Sequence, residues 1–131
     1  MAKEPSGPPM GFQALVGLEI AERGDGFSRG CVDVGPDHMN PHGVCHGGVL
    51  YALADTGMGA AVYSRLEEAE SCATIEIKMV YIAAVREGEL TCESRVVHKG
   101  RSTAVLESEL HQGGRLVAKA LGTFAILQPR G

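Results

Sequence analysis

The 131-residue sequence has few aromatic residues and no cluster of positive charge. It contains no tryptophan, 5% of its residues are aromatic, and its formal net charge is -4 at pH 7. Surfaces that bind nucleic acids are usually basic, with aromatic side chains among the charges, so this composition argues against that function. Because the charges are scattered along the chain, we expect an ordinary soluble protein.

Long apolar runs and closely spaced cysteines are also missing. No stretch reaches the roughly 18 to 20 apolar residues that a membrane-spanning helix needs. The start of the chain, MAKEPSGPPM, lacks the hydrophobic core of a secretory signal. The four cysteines are far apart and form no C-x-x-C pair, which is typical of reduced thiols. These absences predict a cytoplasmic protein that neither enters nor binds a membrane.

The length suits one domain. A chain of this size can bury one hydrophobic core and leaves no room for a second. Residues 1–10 hold three of the six prolines and little that could be buried, which predicts a flexible tail. We therefore expect a single domain over residues 11–131.

The most apolar segment, residues 46–65, predicts a long helix. It is free of proline and apolar on nearly every helical face, so a helix buried on all sides is expected. Glycine is unfavourable inside a helix. Gly48, Gly57 and Gly59 therefore predict close packing against the backbone.

Strand patterns surround this helix. Before it, a short helix in GFQALVG precedes strands at residues 18–22 and 28–34, and the Asp-Gly of RGDG predicts a hairpin between them. After it, alternation of period two continues to the end of the chain. In the first of these later strands, the residues expected to face inward are Ile75, Ile77, Met79 and Tyr81. A sheet with one apolar helix must cover that helix, which predicts an α+β fold with an antiparallel sheet wrapped around it.

The segment that carries chemistry is HGVCHGGVLYALAD, residues 42–55. His42 and His46 have a spacing that suits a metal on a helix, but glycines interrupt the segment and no other cluster supplies further ligands. We expect neither a metal nor another cofactor. Cys45, near a helix start, is a candidate nucleophile, although a small buried cysteine is the favoured interpretation.

The paired glycines and the single carboxylate of this segment suggest a different chemistry. Gly47 and Gly48 begin the helix, where backbone N–H groups lack intrahelical acceptors and favour a negative charge. Such a site can act as an oxyanion hole for a carbonyl under attack. Asp55, inside the apolar helix, is a candidate nucleophile or general base. Its alternative role is that of a structural aspartate bonded to a neighbouring group.

The spacing of these two groups predicts a second copy of the chain. Gly47 and Asp55 are eight residues apart, or about 12 Å along a helix axis. They cannot both contact one carbonyl carbon. If both act on one substrate, two antiparallel helices related by a twofold axis must supply them, which predicts a homodimer with the active site at its interface.

Taken together, NPHGVCHGG and LYALADTGMG resemble the segment that marks hotdog-fold acyl-CoA thioesterases, in particular the phenylacetic-acid-pathway (PaaI-like) branch. ATIEIKMVYI and LVAKALGTFAIL fit the same family, and the resemblance covers about residues 12–128. It implies the hotdog fold, an acyl-CoA substrate and a dimer of dimers.

The resemblance also implies roles for individual residues. Gly47 would polarise the thioester carbonyl through its N–H, with His46 beside it orienting the thioester. Asn40 matches the family's asparagine that positions the water or the catalytic carboxylate. Asp55 matches the catalytic carboxylate, supplied from across the dimer interface, and Thr74 matches the hydroxyl residue that orients the attacking water.

Two features of the resemblance concern the rest of the substrate. Lys99 and Arg101, around the glycine of HKGRS, match basic residues that often meet the coenzyme A phosphates, although a solvated hairpin turn is an equal alternative. The family commonly has a proline soon after the strand that contains Tyr81, whereas this chain has YIAAVREG. We expect this departure to alter the loop and its acyl or pantetheine contacts without affecting the catalytic positions.

The function expected from the sequence is hydrolysis of aryl- or arylacetyl-CoA thioesters, as in phenylacetate degradation, with medium-chain acyl groups as the alternative. A non-catalytic acyl-CoA binding or sensing module is a rival from another class, but a binder does not need Asp55 and Thr74. A hydratase is a rival enzyme, for which His46 is the one candidate to relay a proton.

Overall fold

The chain forms one sheet that curves around one long helix. The computed structural model describes residues 8–128, so the predicted flexible tail falls outside the described residues apart from its last three positions. The elements are α1 (Gly11–Val16), β1 (Leu18–Gly24), β2 (Phe27–Val34), a 3-10 turn (Pro36–His38), α2 (Gly47–Tyr63), β3 (Ser71–Tyr81), β4 (Gly88–Lys99), β5 (Thr103–Gln112) and β6 (Arg115–Leu127). Every strand pairing is antiparallel, in the order β1-β2-β4-β5-β6-β3. The α+β hotdog prediction is confirmed.

Local sequence signals set the element boundaries. Asp25 and Gly26 both have positive φ, 51° and 77°, as the two central residues of a tight hairpin turn require. They join β1 to β2, as the Asp-Gly signal predicts. Nearer the end of the chain, Gly113 and Gly114 form the same kind of hairpin turn between β5 and β6, with φ of 59° and 77°.

The core lies between α2 and the concave face of the sheet. Leu53 and Met58 of α2 are fully buried, and strand side chains close over them. The largest fully buried strand residues are Leu18, Leu90, Leu106 and Leu110. No helix within residues 8–128 has the length and apolar character needed to span a membrane.

The glycines of α2 differ in their surroundings. A Cβ on Gly57 would lie 2.8 Å from the hydroxyl of Ser94, and the carbonyl of Gly57 accepts a 2.6 Å hydrogen bond from Ser28. Close packing is therefore confirmed at this position. At Gly59 the nearest atom to an added Cβ is 3.8 Å away, an ordinary contact, so the prediction is wrong there.

One side of α2 is not covered by the sheet. The prediction of a helix buried on all sides is wrong for a single chain, because the sheet wraps only part of its circumference. Beyond the two glycines at its start, the residues of α2 that stay at least partly exposed recur at helical spacing and are mainly apolar or small: Tyr51, Ala52, Asp55, Thr56, Gly59 and Tyr63. This uncovered stripe places Asp55 at the surface of the protomer.

Strand β3 departs from simple alternation. Its register with β6 shifts between Thr74 and Glu76, which is a β-bulge. Ile75, which alternation places in the interior, is 57% exposed, and that part of the prediction is wrong. Because the bulge adds one residue, side chains before and after it no longer follow one alternation. Thr74 and Ile77 therefore both face α2, although they are three positions apart. As the last strand in the sheet order, β3 pairs with β6 alone among the described strands.

Candidate active site

The N-terminus of α2 is capped by the side chain of His46. This residue is extended, and its Nδ1 accepts a 2.8 Å hydrogen bond from the N–H of Gly48. The N–H of Val49 donates to the carbonyl of His46 at 3.0 Å. Of these first-turn donors, the N–H of Gly47 is the one with no acceptor among residues 8–128.

The two glycines therefore have different roles in the structure, although the sequence pattern predicts the same role for both. The prediction that Gly48 offers a free N–H to a substrate is wrong, because His46 already accepts from it. Position 48 instead requires a residue without a side chain, since a Cβ there would lie 2.9 Å from Nδ1 of His46. Gly47 keeps the free donor that an oxyanion hole requires.

An open cleft of about 520 Å³ adjoins this helix start. One wall is residues 45–48 with Leu50, and the other is residues 81–85. The hydroxyl of Tyr81 donates a 2.8 Å hydrogen bond to the carbonyl of Gly47 and so joins the two walls. Gly47 lines this cleft, so a group that enters it lies beside that residue.

The loop before α2 is organised by Asn40. Its side-chain oxygen accepts hydrogen bonds from the N–H groups of His42, at 2.9 Å, and Val44, at 3.3 Å. Its backbone N–H donates to the carbonyl of Val44 at 2.8 Å. Within this chain Asn40 therefore shapes the turn that leads to His46, and its role toward water or a carboxylate stays a prediction.

Asp55 and Thr74 form a second part of the site. The hydroxyl of Thr74 donates a 2.6 Å hydrogen bond to Oδ1 of Asp55, across the gap between β3 and α2. Asp55 is half-buried and Thr74 is exposed. The structure brings these two predicted residues together, and it places them about 12 Å along α2 from Gly47.

The cysteine alternative finds no support in the geometry. Burial raises the pKa of the Cys45 thiol, so the thiolate that a nucleophile needs is disfavoured. The residue is buried, with a relative exposure of 6%, and its thiol contacts the carbonyl of His46. Cys45 is the small buried cysteine of the favoured interpretation. Within residues 8–128 there is also no group of three or more histidine, cysteine or acidic residues that could hold a metal ion.

Lys99 and Arg101 lie at the turn between β4 and β5. Nζ of Lys99 is 3.5 Å from Oε1 of Glu70, and its side chain is only 20% exposed. The backbone N–H of Glu67 donates to Glu70, and this bond, with smaller effects from its other partners, holds the pKa of Glu70 below its ordinary value. The Lys99 ammonium thus already has a carboxylate partner.

This turn is remote from Gly47 within one chain. Glu70 directly precedes the first residue of β3, whereas Tyr81, the last residue of that strand, contacts Gly47. Eleven strand residues span about 33 Å. A single protomer does not bring Lys99 and Gly47 together, and their shared role in coenzyme A binding stays a prediction.

Sequence reasoning gave the YIAAVREG loop acyl or pantetheine contacts but did not place it beside Gly47, as the second wall of the cleft. Residues 82–85 line the same cleft as Gly47, and the carbonyl of Val85 accepts a 2.7 Å hydrogen bond from the N–H of Cys45. The YIAAVREG segment therefore adjoins the helix start, and the expectation that its departure leaves the catalytic positions unaffected stays a prediction. Two sequence signals pointed to this wall: the inward parity of Tyr81 at the end of its strand, and the departure of YIAAVREG from the family pattern.

This chain resembles known proteins in sequence and in fold. Residues 42–119 match the family described as the thioesterase superfamily. The acyl-coenzyme A thioesterase PaaI of Escherichia coli is 32% identical over 96 residues, which cover 72% of this chain and 66% of that protein.

Solved structures agree over most of the chain. A conserved protein from Pseudomonas aeruginosa has a TM-score of 0.87 and 41% sequence identity, covering 91% of this chain and 95% of that one. A mutant of the phenylacetic acid degradation protein PaaI from Thermus thermophilus has a TM-score of 0.81 and 30% identity, covering 87% and 96%.

Proposed function

This chain belongs to the thioesterase superfamily and is a thioester hydrolase, and we propose that it hydrolyses acyl-CoA at a site built from two protomers. One protomer supplies the N–H of Gly47, and Asp55 of the partner subunit supplies the carboxylate. One observation carries this proposal. The free N–H of Gly47 and the Thr74-bound carboxylate of Asp55 lie on the same helix, too far apart to act together on one carbonyl.

The proposed chemistry follows from the two half-sites. Attack on a thioester carbonyl places negative charge on its oxygen, and the N–H of Gly47 is a fixed donor for that charge. Asp55 either takes the proton of the attacking water or attacks the carbonyl itself to give an anhydride that water then cleaves. A thiolate leaves readily, so one carboxylate is sufficient. The Thr74 hydroxyl holds Asp55 and orients the water, while His46 and Asn40 shape the helix start.

Two surfaces of the protomer support the dimer. The uncovered stripe of α2 is mainly apolar or small, yet it lies open in a single chain. Beside it, β3 has an unpaired edge among the described strands, and Ile75, Val80 and Tyr81 there are 57%, 49% and 52% exposed. Open strand edges and apolar surface favour association with another chain. A second copy related by a twofold axis covers both and brings its Asp55 toward Gly47.

The proposed substrate class is narrower than thioesters in general. We infer aryl- or arylacetyl-CoA, with medium-chain acyl-CoA as the alternative, because relatives over most of the chain carry the names acyl-coenzyme A thioesterase PaaI and phenylacetic acid degradation protein PaaI. Lys99 and Arg101 are proposed to meet the coenzyme A phosphates. A cytoplasmic location and assembly of the dimers into tetramers complete the proposal.

Thiol release from a panel of thioesters tests this function. Phenylacetyl-, hydroxyphenylacetyl-, benzoyl- and straight-chain acyl-CoA are compared by following the free thiol with a chromogenic disulfide. We expect turnover, with the highest kcat/KM for an arylacetyl-CoA. A preference for straight-chain substrates would contradict the arylacetyl assignment, and saturable binding without any turnover would contradict the enzyme and indicate a sensing module.

A further inference from the structure

Tyr81 links the two walls of the cleft at the helix start. We propose that Tyr81 is a positioning residue that holds the Gly47–Gly48 peptide, and through it the N–H of Gly47 and the tautomer of His46, in the form needed for thioester hydrolysis. This inference rests on the proposed function for its effect on turnover, but the arrangement itself can be tested without turnover.

The contact between Tyr81 and Gly47 is close and specific. The Tyr81 hydroxyl donates to the carbonyl of Gly47 at 2.8 Å. The ring lies against the same residue, because a Cβ built on Gly47 would be 3.0 Å from Cζ and 3.1 Å from Cε1. Both a hydrogen bond and a steric contact thus fix where α2 begins relative to the end of β3.

One peptide plane lies between Tyr81 and His46. The carbonyl of Gly47 accepts from Tyr81, and the N–H of Gly48, on the same peptide, donates to Nδ1 of His46 at 2.8 Å. Hydrogen bonds in such a series polarise one another, so the Tyr81 bond makes the Gly48 N–H a stronger donor. Nδ1 must be unprotonated to accept it, which puts the proton of neutral His46 on Nε2.

The same contacts orient the oxyanion donor. The carbonyl of Gly47 accepts the hydrogen bond from Tyr81. The N–H of Gly47 belongs to the preceding peptide bond, which links it to His46. Rotation of Gly47 away from the cleft would break the Tyr81 bond. Burial raises the pKa of Tyr81, with a smaller contribution from Tyr51, so the hydroxyl stays protonated and able to donate.

Tyr81→Phe isolates the hydroxyl from the ring. We expect kcat to fall about tenfold with little change in KM, less than the roughly 10²- to 10³-fold cost of removing an oxyanion-hole donor itself. Thr91→Val, which removes a hydroxyl that donates to the backbone carbonyl of His111 between β4 and β5, is the matched control and is expected to retain the wild-type kcat. The midpoint of thermal unfolding and the oligomeric state of each variant check that neither change acts through folding.

Two outcomes of this comparison would overturn the inference. A kcat for Tyr81→Phe within about twofold of the wild type would show that the hydroxyl positions nothing. A change confined to KM would show that Tyr81 is only a wall that touches substrate.

A double-mutant cycle with Gly47→Ala provides a second test. Alanine keeps the backbone N–H, but its Cβ forces the Tyr81 ring to shift and weakens the bond that the phenylalanine removes. Tyr81→Phe is therefore expected to cost less in the Gly47→Ala background than in the wild type. Additive losses would contradict the proposed linkage.

Nuclear magnetic resonance tests the arrangement independently of activity. In the wild type, Nδ1 of His46 is expected to show the ¹⁵N shift of an unprotonated acceptor, and Nε2 that of a protonated nitrogen. In Tyr81→Phe the Gly48 amide proton is expected to move upfield as its hydrogen bond weakens. An unchanged Gly48 resonance would overturn the inference. If the arrangement is present but no thioester is cleaved, the proposed function fails and the structural linkage does not.

Discussion

Replacing Asp55 by asparagine is expected to lower kcat for thioester hydrolysis by about 10²- to 10⁴-fold. Asparagine has nearly the same shape and its side-chain oxygen can still accept from the Thr74 hydroxyl, which holds Asp55 at 2.6 Å. It lacks the negative charge needed to accept a proton from water or to attack a carbonyl. Because substrate contacts are retained, KM is expected to change little. Initial rates of thiol release from the best substrate measure the effect.

The matched control for this variant is Asp33→Asn. Asp33 is an exposed carboxylate on β2, and its loss removes the same charge without touching the site. Its rate is expected to equal that of the wild type. Asp55 would instead be a structural aspartate if Asp55→Asn kept near-normal turnover, or if it lost activity only in parallel with a collapse of thermal stability.

Gly47→Val is the second substitution expected to abolish most of the activity. The position has no free space, because even a single added carbon would lie 3.0 Å from the Tyr81 ring, and valine adds two more. The valine side chain both displaces Tyr81 and hinders approach of a carbonyl oxygen to the Gly47 N–H. A loss of about 10²- to 10³-fold in kcat is expected, the cost of one oxyanion-hole donor.

Gly35→Ala controls for the change of a glycine outside the site and outside the uncovered stripe. An added Cβ at Gly35 meets no atom within 4 Å, and the φ of -135° is open to any residue. This variant is expected to remain active and to be as stable as the wild type, or more stable by up to about 1 kcal/mol. Wild-type rates in Gly47→Val would show that the cleft at the helix start is not where the carbonyl binds.

The parts of this fold that the sequence predicts well depend on local patterns. The long helix follows from the apolar run that ends near Arg65, and its first residues follow from the paired glycines. The hairpin between β1 and β2 follows from the Asp-Gly pair. Asp55 is identifiable as a functional candidate because a lone carboxylate in an apolar helix is costly to bury.

The parts that were missed depend on contacts between distant residues. The bulge in β3 reverses the strand's parity at Thr74, and no local pattern marks it. Gly48 loses its free N–H to the His46 side chain, and the sequence pattern does not show that this side chain turns back onto the helix start. Tyr81 reaches Gly47 across 34 positions of the chain, so only the fold reveals that the two are neighbours.

The helix that is apolar on nearly every face is the clearest case in which sequence and single-chain structure disagree. Burial on all sides is the correct expectation for such a sequence, yet one sheet covers only part of α2. The disagreement disappears if a second chain covers the stripe that includes Tyr51 and Asp55. The same surface is the one that a site shared between protomers requires.

Mixing two inactive variants tests the shared site most directly. Asp55→Asn and Gly47→Val chains carrying different affinity tags are mixed, unfolded and refolded together, and heterodimers are confirmed by native mass spectrometry. Each heterodimer then has one site with both an intact Gly47 and an intact Asp55. With random pairing the mixture is expected to recover about a quarter of the wild-type thioesterase rate. Heterodimers with no more activity than the parent variants would contradict a site built from two protomers.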